Sequence, residues 1–250
     1  ETEIGEGGYT GEGEVYAQDE STYVTLPAGR AKITNSATVS EEVVKLPNID
    51  YTSRIYNNLR KSIRRKTSGQ IISGDGKANK LKGFYSQDVA VIPADYKVEV
   101  AKIDSDTLAK IVFGYGGDED MEGPATLFLN KKDLAAFGSV KAADGRPYYK
   151  ITIEGSGGTI EDAMGGTKIN YSINSACNAL SDASTAGETK TMVYGDPMCY
   201  ELPMFTPLTM KSSEHRYMEK GQILFTGSVI VGGVVNKYKG IMPVVKAAAK

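Results

Sequence analysis

Apolar residues are spaced in two different ways along this chain. Tyr51, Ile55, Leu59 and Ile63 recur every fourth position, the period that lines one face of an α-helix. Asn48 or Asp50 stands where a side-chain oxygen takes up free amides of the first turn, and Gly74-Asp75-Gly76 closes the segment. It is the longest helix predicted. Ahead of it, Glu14-Val-Tyr-Ala, Thr22-Tyr-Val-Thr-Leu and Arg30-Ala-Lys-Ile-Thr are β-rich, with Pro27-Ala-Gly29 as a turn. They predict an extended hairpin over 15–47. Residues 1–14 hold Gly, Glu, Thr and Tyr with almost no large aliphatic side chain, an arm that cannot bury enough surface to fold alone.

Beyond the helix, strand and helix patterns alternate. After Asp88-Val-Ala-Val-Ile-Pro and Tyr96-Lys-Val-Glu-Val, Asp104 or Ser105 caps a short helix through Phe113. Ala125-Thr-Leu-Phe-Leu-Asn predicts a buried strand, Lys131-Lys-Asp-Leu-Ala-Ala-Phe a helix directly after it, and Asp144-Gly-Arg-Pro a turn before Tyr148-Tyr-Lys-Ile-Thr-Ile. This order defines an α+β lobe. Residues 155–187 are rich in Gly, Ser, Thr and Ala and predict long loops around a strand near Lys168-Ile-Asn-Tyr-Ser-Ile. The remainder turns to β: Thr189-Lys-Thr-Met-Val-Tyr, Cys199-Tyr-Glu-Leu, Leu208-Thr-Met-Lys, Gln222 to Ile230 and Val234 to Tyr238. No internal repeat is present.

The 250 residues, 40% hydrophobic and 24% charged, are enough for one sizeable core or two joined lobes. The longest apolar runs fall short of the ~20 residues that span a bilayer, so no membrane segment or membrane partner is expected. With 29 basic and 31 acidic side chains, a dominant grip on nucleic acid phosphates is not indicated. One local cluster, Arg60, Lys61, Arg64, Arg65 and Lys66, crowds the later turns of the long helix, where cations complement the helix dipole. It is either a solvated or salt-bridged face or a contact with nucleic acid or a neighbouring subunit. Cys177 and Cys199 make neither a disulfide framework nor a zinc spacing; free thiols are expected. The first residue is Glu1 and the opening stretch is acidic, unlike a secretion signal.

The chemical signals are weak. His215, the one histidine, sits in Lys211-Ser-Ser-Glu-His-Arg with no nucleophile elbow nearby and is expected at the surface. Gly74-Asp-Gly-Lys77 lacks the phosphate-loop spacing and has Ala78 where a hydroxyl would hold magnesium, so it is taken as a helix stop. Asp118, Asp120, Glu122 and Gly123 imitate half a calcium loop, but Leu129 stands at its twelfth position. Gly114 follows a helix instead of opening one, which suits a C-cap and not an anion site. No catalytic, cofactor-binding or metal residues are assigned, and the expectation is a protein that is not an enzyme.

Several segments also match a known family in wording and order. Asn58-Leu-Arg-Lys-Ser-Ile-Arg-Arg, continuing to Ile71-Ile-Ser-Gly-Asp-Gly, resembles the spine helix of tailed-bacteriophage major capsid proteins with the Hong Kong 97-type fold. Ala125-Thr-Leu-Phe-Leu-Asn-Lys-Lys-Asp-Leu with Asp144-Gly-Arg-Pro, and Ile160 to Lys168 with Met192-Val-Tyr-Gly-Asp, are similar to that family's axial lobe. Leu208 to Val244 is similar to the return through its peripheral lobe. The resemblance implies an α+β Hong Kong 97-type capsid fold: N-terminal arm 1–14, extended β-hairpin loop 15–47, spine helix and start of the peripheral domain 48–87, mainly axial domain 88–205, and a β-rich return through the peripheral domain 206–250.

It further implies a structural head protein that self-assembles, as hexamers and pentamers, into the icosahedral shell around a tailed-phage genome. Portal and maturation protease would be partners during assembly in the host bacterial cytoplasm. Packaged double-stranded DNA would be touched weakly and non-specifically, and the mature location would be the virion. Proteolytic removal of an N-terminal scaffolding segment would leave Glu1 as a new terminus. Lys32 lies on the hairpin where the family's isopeptide-forming lysine sits, although no matching asparagine or activating glutamate is identified, and an ordinary exposed lysine is the other reading. An encapsulin-like nanocompartment shell shares the fold and is the alternative; a small α+β enzyme or a nucleic acid module on residues 60–66 is a further one, the latter lacking interleaved aromatics.

Overall fold

The computed structural model describes residues 9–10, 12–13, 25–45, 50–116, 125–162 and 166–248. The acidic loop at 118–123 and most of the first 24 residues, including two strands of the expected hairpin, lie outside them. In chain order the elements are β1 (Ala31–Ser40), α1 (Glu41–Val44), α2 (Tyr51–Ser73), β2 (Val98–Val100), α3 (Thr107–Phe113), β3 (Thr126–Leu129), α4 (Lys131–Ser139), β4 (Tyr149–Glu154), β5 (Gly157–Asp162), β6 (Lys168–Ile173), β7 (Lys190–Gly195), β8 (Tyr200–Glu201), β9 (Met204–Tyr217), β10 (Gln222–Val231), β11 (Val234–Val235) and β12 (Ile241–Lys246). They form two compact units. One comprises Ala28–Ser86 and Leu202–Val234; the other takes Gln87–Glu201 and Val235–Lys250, together with Glu1–Pro27.

The first unit is a helix on a three-stranded antiparallel sheet ordered β1-β10-β9. Asp50 opens α2: its carboxylate accepts the Ser53 amide at 3.0 Å, one of the donors a helix start leaves unpaired. Of the four-residue stripe, Leu59 and Ile63 are buried while Tyr51 and Ile55 are half-buried. Ile63 joins Ala31, Ile33, Leu81, Val229 and Val231 in the core of the unit. Gly227 in β10 permits this approach, because a Cβ there would lie 3.0 Å from the Ile63 side chain. Tyr56 meets Phe225 edge to face at 5.5 Å between ring centroids, a favoured aromatic geometry.

The helix stops in a tight backbone knot. The Gly74 amide donates to Gln70 O at 2.8 Å, the Gly83 amide to Gly74 O at 2.9 Å, and the Gly76 amide to Leu81 O at 3.0 Å. Asp75 holds Lys80 at 2.7 Å, and the Ser86 hydroxyl donates to Gly74 O. The expected stop at Gly74-Asp-Gly is therefore present, with the returning segment pressed against the helix end. The two earlier strands of the expected hairpin lie outside the described residues. The described strand of that region, β1, pairs along its whole length with β10, from Ala31 opposite Val231 to Ser40 opposite Gln222. Its alternating burial fits any partner with one covered face, so local pattern sets the strand but not its mate.

The second unit is built on a seven-stranded sheet ordered β2-β12-β7-β3-β6-β5-β4. Its pairs are antiparallel except β12 with β2 and β3 with β6. Leu127, Leu129, Ile160, Met192, Val244, Leu108, Ile111 and Phe137 form its dry centre, each worth about 1.5–3 kcal/mol when fully buried. Phe137 of α4 meets Tyr149 of β4 at 5.3 Å, and the Tyr149 hydroxyl reaches the Asp104 and Ser105 carbonyls at 2.8 Å each. Burial pushes that phenol well above its ordinary pKa, so it stays a proton donor to the turn before α3. Gly114 caps α3 as expected; a Cβ there would meet Val98 at 2.6 Å.

One segment sits differently from the boundaries expected. Residues 235–250 belong with 87–201, not with the strands from 206 onward. The cause is β12, whose buried run Ile241-Met-Pro-Val-Val inserts between β2 and β7, a position buried on both faces that suits a continuous apolar run.

Candidate assembly surfaces

Among the described residues no group of three or more His, Cys, Asp or Glu side chains could hold a metal ion, and no helix is long and apolar enough to cross a membrane. Chemistry of recognition lies instead on surfaces that the fold leaves without a partner.

The first is the outer face of α2. The 23-residue helix carries Arg54, Arg60, Lys61, Arg64, Arg65 and Lys66 and no acidic residue. Leu59 and Ile63 point inward and all six cations are exposed; at about 100° per residue Arg54, Lys61 and Arg65 fall opposite Ile63, while Arg60, Arg64 and Lys66 flank the core stripe. None of the six has an ion-pair partner among the described residues. Unlike a salt-bridged helix face, it gains nothing from within its own helix. Of the two structural alternatives left open by the sequence, the salt-bridged one is not what these residues form.

The second is β9, fourteen residues long with not one buried side chain. Among the described residues it is an edge strand, hydrogen-bonded to β10 alone. Its start shows Met204 at 62% and Phe205 at 47% exposure, with the Arg30 guanidinium over the Phe205 ring at 5.1 Å. A long edge strand with free amides and exposed apolar residues is a template for another chain unless something covers it. His215 proves to lie inside this strand, not in a polar stretch between strands. The sequence marks only Leu208-Thr-Met-Lys of this strand; no face of β9 is buried, so no alternation carries the pattern on to His215. The histidine is exposed, as expected.

Lys32 lies on β1, the other edge of the same sheet, opposite Ile230 and exposed. In the seven-stranded sheet the outer strand β4 shows Ile153 at 68% exposure. Cys177 and Cys199 are buried free thiols. Neither is placed to serve at a surface.

Nothing in the sequence marks Asp133, although it organises more backbone than any other carboxylate described. Fully buried, it accepts hydrogen bonds from the Leu180 amide at 3.0 Å and from the Ser181 amide and hydroxyl at 2.8 and 2.7 Å. Beside it Lys132 pairs with Asp182 at 2.6 Å. That hydrogen bond, with the Ser184 amide and hydroxyl, holds the Asp182 carboxyl well below the usual carboxylate range. The tie is present above the ordinary carboxylate pKa and is lost only as pH falls through the depressed one. The Gly, Ser and Thr-rich loop is thus pinned to α4. The only hint was the position of Asp133 in the first turn of a helix, where acidic residues are common for other reasons.

The architecture has known counterparts. The capsid of an empty GTA particle superposes with a TM-score of 0.65 at 19% identity, covering 96% of this chain and 81% of that one. The Gordonia phage Cozz structure gives 0.63 at 12% identity, covering 99% and 80%. The holo-SrpI encapsulin complex from Synechococcus elongatus PCC 7942 gives 0.59 at 12% identity, covering 88% and 74%. No curated protein sequence matches. At these identities the likeness is one of fold, the α+β Hong Kong 97-type architecture. Within that architecture the model of the phage capsid family matches residues 1–246. This chain therefore belongs to the phage capsid family, as a major capsid protein with a structural role.

Proposed function

We propose that copies of this chain associate as hexamers and pentamers and close into the icosahedral head of a tailed phage. The observation that carries the reading, beyond the family, is β9: a fourteen-residue edge strand with no buried side chain, which suits a subunit completed by its neighbours. Contacts with correct rotation close into rings, and chain segments unable to bury themselves gain stability on assembly. In this reading the units 28–86 with 202–234 and 87–201 with 235–250 are the peripheral and axial domains, and α2 is the spine helix. Assembly takes place in the host cytoplasm with a portal and a maturation protease, which removes an N-terminal scaffolding segment, and the closed shell holds double-stranded DNA by weak non-specific contact.

The test is to express the precursor alone and then with the protease, and to follow both by size-exclusion chromatography and electron microscopy. Closed polyhedral particles are expected, with subunits shortened at the N-terminus on protease addition. A stable monomer in both cases would overturn the reading. Particles enclosing a cargo enzyme in place of DNA would favour the encapsulin-like alternative, whose fold the Synechococcus neighbour shares.

Lys32 supplies a second prediction. Its place on an exposed edge strand leaves the amine free to meet a neighbouring asparagine and form an isopeptide bond with loss of ammonia. Intact-mass measurement of denatured mature particles is expected to give linked oligomers that vanish in Lys32→Arg. Monomers alone from the wild-type particle would leave Lys32 as an ordinary surface lysine.

A further inference from the structure

We propose that the outer ridge of α2 is a docking surface for the phosphate backbone of duplex DNA. This rests on the shell-subunit reading and deepens it by naming the residues that meet the packaged polymer. The near-neutral charge of the whole chain conceals a division. The unit of residues 28–86 and 202–234 holds 15 basic and 6 acidic side chains, whereas the remaining residues hold 14 and 25. Six of the 15 stand on α2, which carries no carboxylate. The net charge of −2 thus averages a unit of +9 with a remainder of −11, and a polyanion responds to the local field and not to the average.

Helix geometry gathers the donors. At about 100° and ~1.5 Å per residue, Arg54, Asn58, Lys61 and Arg65 share about 60° of arc on the side away from Ile63 and follow one another over about 16 Å. All four are exposed. Duplex DNA presents one phosphate per ~1.7 Å of axis, so the ridge runs beside on the order of ten of them. Between Ser53 and Lys66 every exposed side chain is Ser, Asn, Lys or Arg, each able to donate to a phosphate oxygen. None of the six cations has an ion-pair partner among the described residues. This composition decides between occupants. A protein partner calls for an apolar centre, because interface cores are depleted of charge, and the exposed side chains here supply none. Single-stranded nucleic acid calls for aromatic platforms; positions 57 to 73 hold no aromatic residue, and Tyr56 is spent on Phe225. Contact with a duplex backbone, which positions without reading sequence, is what the ridge fits.

The experiment titrates full-length unassembled subunits with fluorescent duplexes of about 30 base pairs in two unrelated sequences, and follows the binding constant by anisotropy from about 50 to 200 mM salt. With about 0.9 in slope for each phosphate neutralised, a plot of log K against log salt near −4 is expected, the same for both duplexes. Lys61→Ala combined with Arg65→Ala should flatten the slope by about 2 and weaken binding on the order of fiftyfold at ~0.1 M salt, equally for both sequences, with the thermal melt unchanged. Lys211→Ala combined with Arg216→Ala removes the same charge from exposed positions of β9 and should leave the slope within about 0.5 of wild type. In particles, acetylation of Lys61 read by mass spectrometry should be about fivefold lower when DNA fills the shell than when the shell is DNA-free. Acetylation of the exposed Lys131 of α4 should be equal in the two.

A slope lowered as much by the β9 pair as by the α2 pair would overturn the proposal, since affinity would then follow total charge and not the ridge. Unchanged duplex binding in the α2 double variant, with its particles lost, would overturn it in favour of a second copy's acidic residues as the occupant. Both failures leave the shell reading standing, because wild-type particles form in either case. Wild-type subunits that bind duplex with the expected slope but never close into particles would keep the ridge as a duplex-binding surface and overturn the shell reading alone.

Discussion

Gly74→Ala is expected to destabilise the fold by more than about 3 kcal/mol, the upper range for forcing extra volume into a packed site. The backbone at Gly74, φ −61° and ψ 134°, suits any residue, so the cost is steric and not conformational. An added Cβ would sit 2.2 Å from Leu81 O and 2.5 Å from Gln70 O, both backbone atoms that cannot swing away. The returning strand of the knot would have to part from the helix end, taking with it the amide of Gly83 and the buried Leu81. Gly145→Ala is the control: its φ of +83° is unfavourable for alanine, but a Cβ there meets nothing within 4 Å, so about 1 kcal/mol is expected. Thermal melts of both variants beside the wild type decide the matter. A Gly74→Ala melt no lower than that of Gly145→Ala would mean the knot is not packed as described.

Asp133→Ala is expected to cost about 3 kcal/mol by a different route. The substitution leaves the buried Leu180 amide without its acceptor and removes both Ser181 contacts; each buried donor left unpaired costs about 1–3 kcal/mol. Asp133→Asn, which keeps one acceptor oxygen, should lose roughly half as much. Urea unfolding gives the size of the effect, and limited proteolysis gives its location, since the loop from 174 to 188 should be cut faster in Asp133→Ala before the whole unit unfolds. A midpoint within about 0.5 kcal/mol of wild type, the level of an ordinary surface change, would show that the carboxylate does not organise that loop.

These two sites mark the limits of what the sequence makes legible. The α2 stripe, its Asp50 cap, its glycine stop and the β3 to α4 step are local patterns, and each stands in the structure where periodicity and capping place it. The pairing of β1 with β10, the insertion of β12 and the grip of Asp133 on Leu180 are set by residues 46 to 200 positions apart, which no window of a dozen residues can reveal. Strand β9 was legible only in its middle, Leu208-Thr-Met-Lys; the rest of it buries nothing and writes no alternation. For the candidate surfaces, the basic residues of α2 were visible as a cluster. Their arrangement opposite and beside the core stripe, and the lack of any described partner, required coordinates.

The pairing of β1 with β10 also sets a timetable. Ala31 finds Val231 only after 200 further residues have been made, about 10–40 s at ~5–20 residues per second. For most of that interval α2 has been synthesised but the strand carrying Phe225, Val229 and Val231 has not, so Leu59 and Ile63 emerge from the ribosome with two of the three strands of their sheet missing. Such high contact order slows folding and exposes an apolar stripe and an unpaired edge to every other nascent copy nearby.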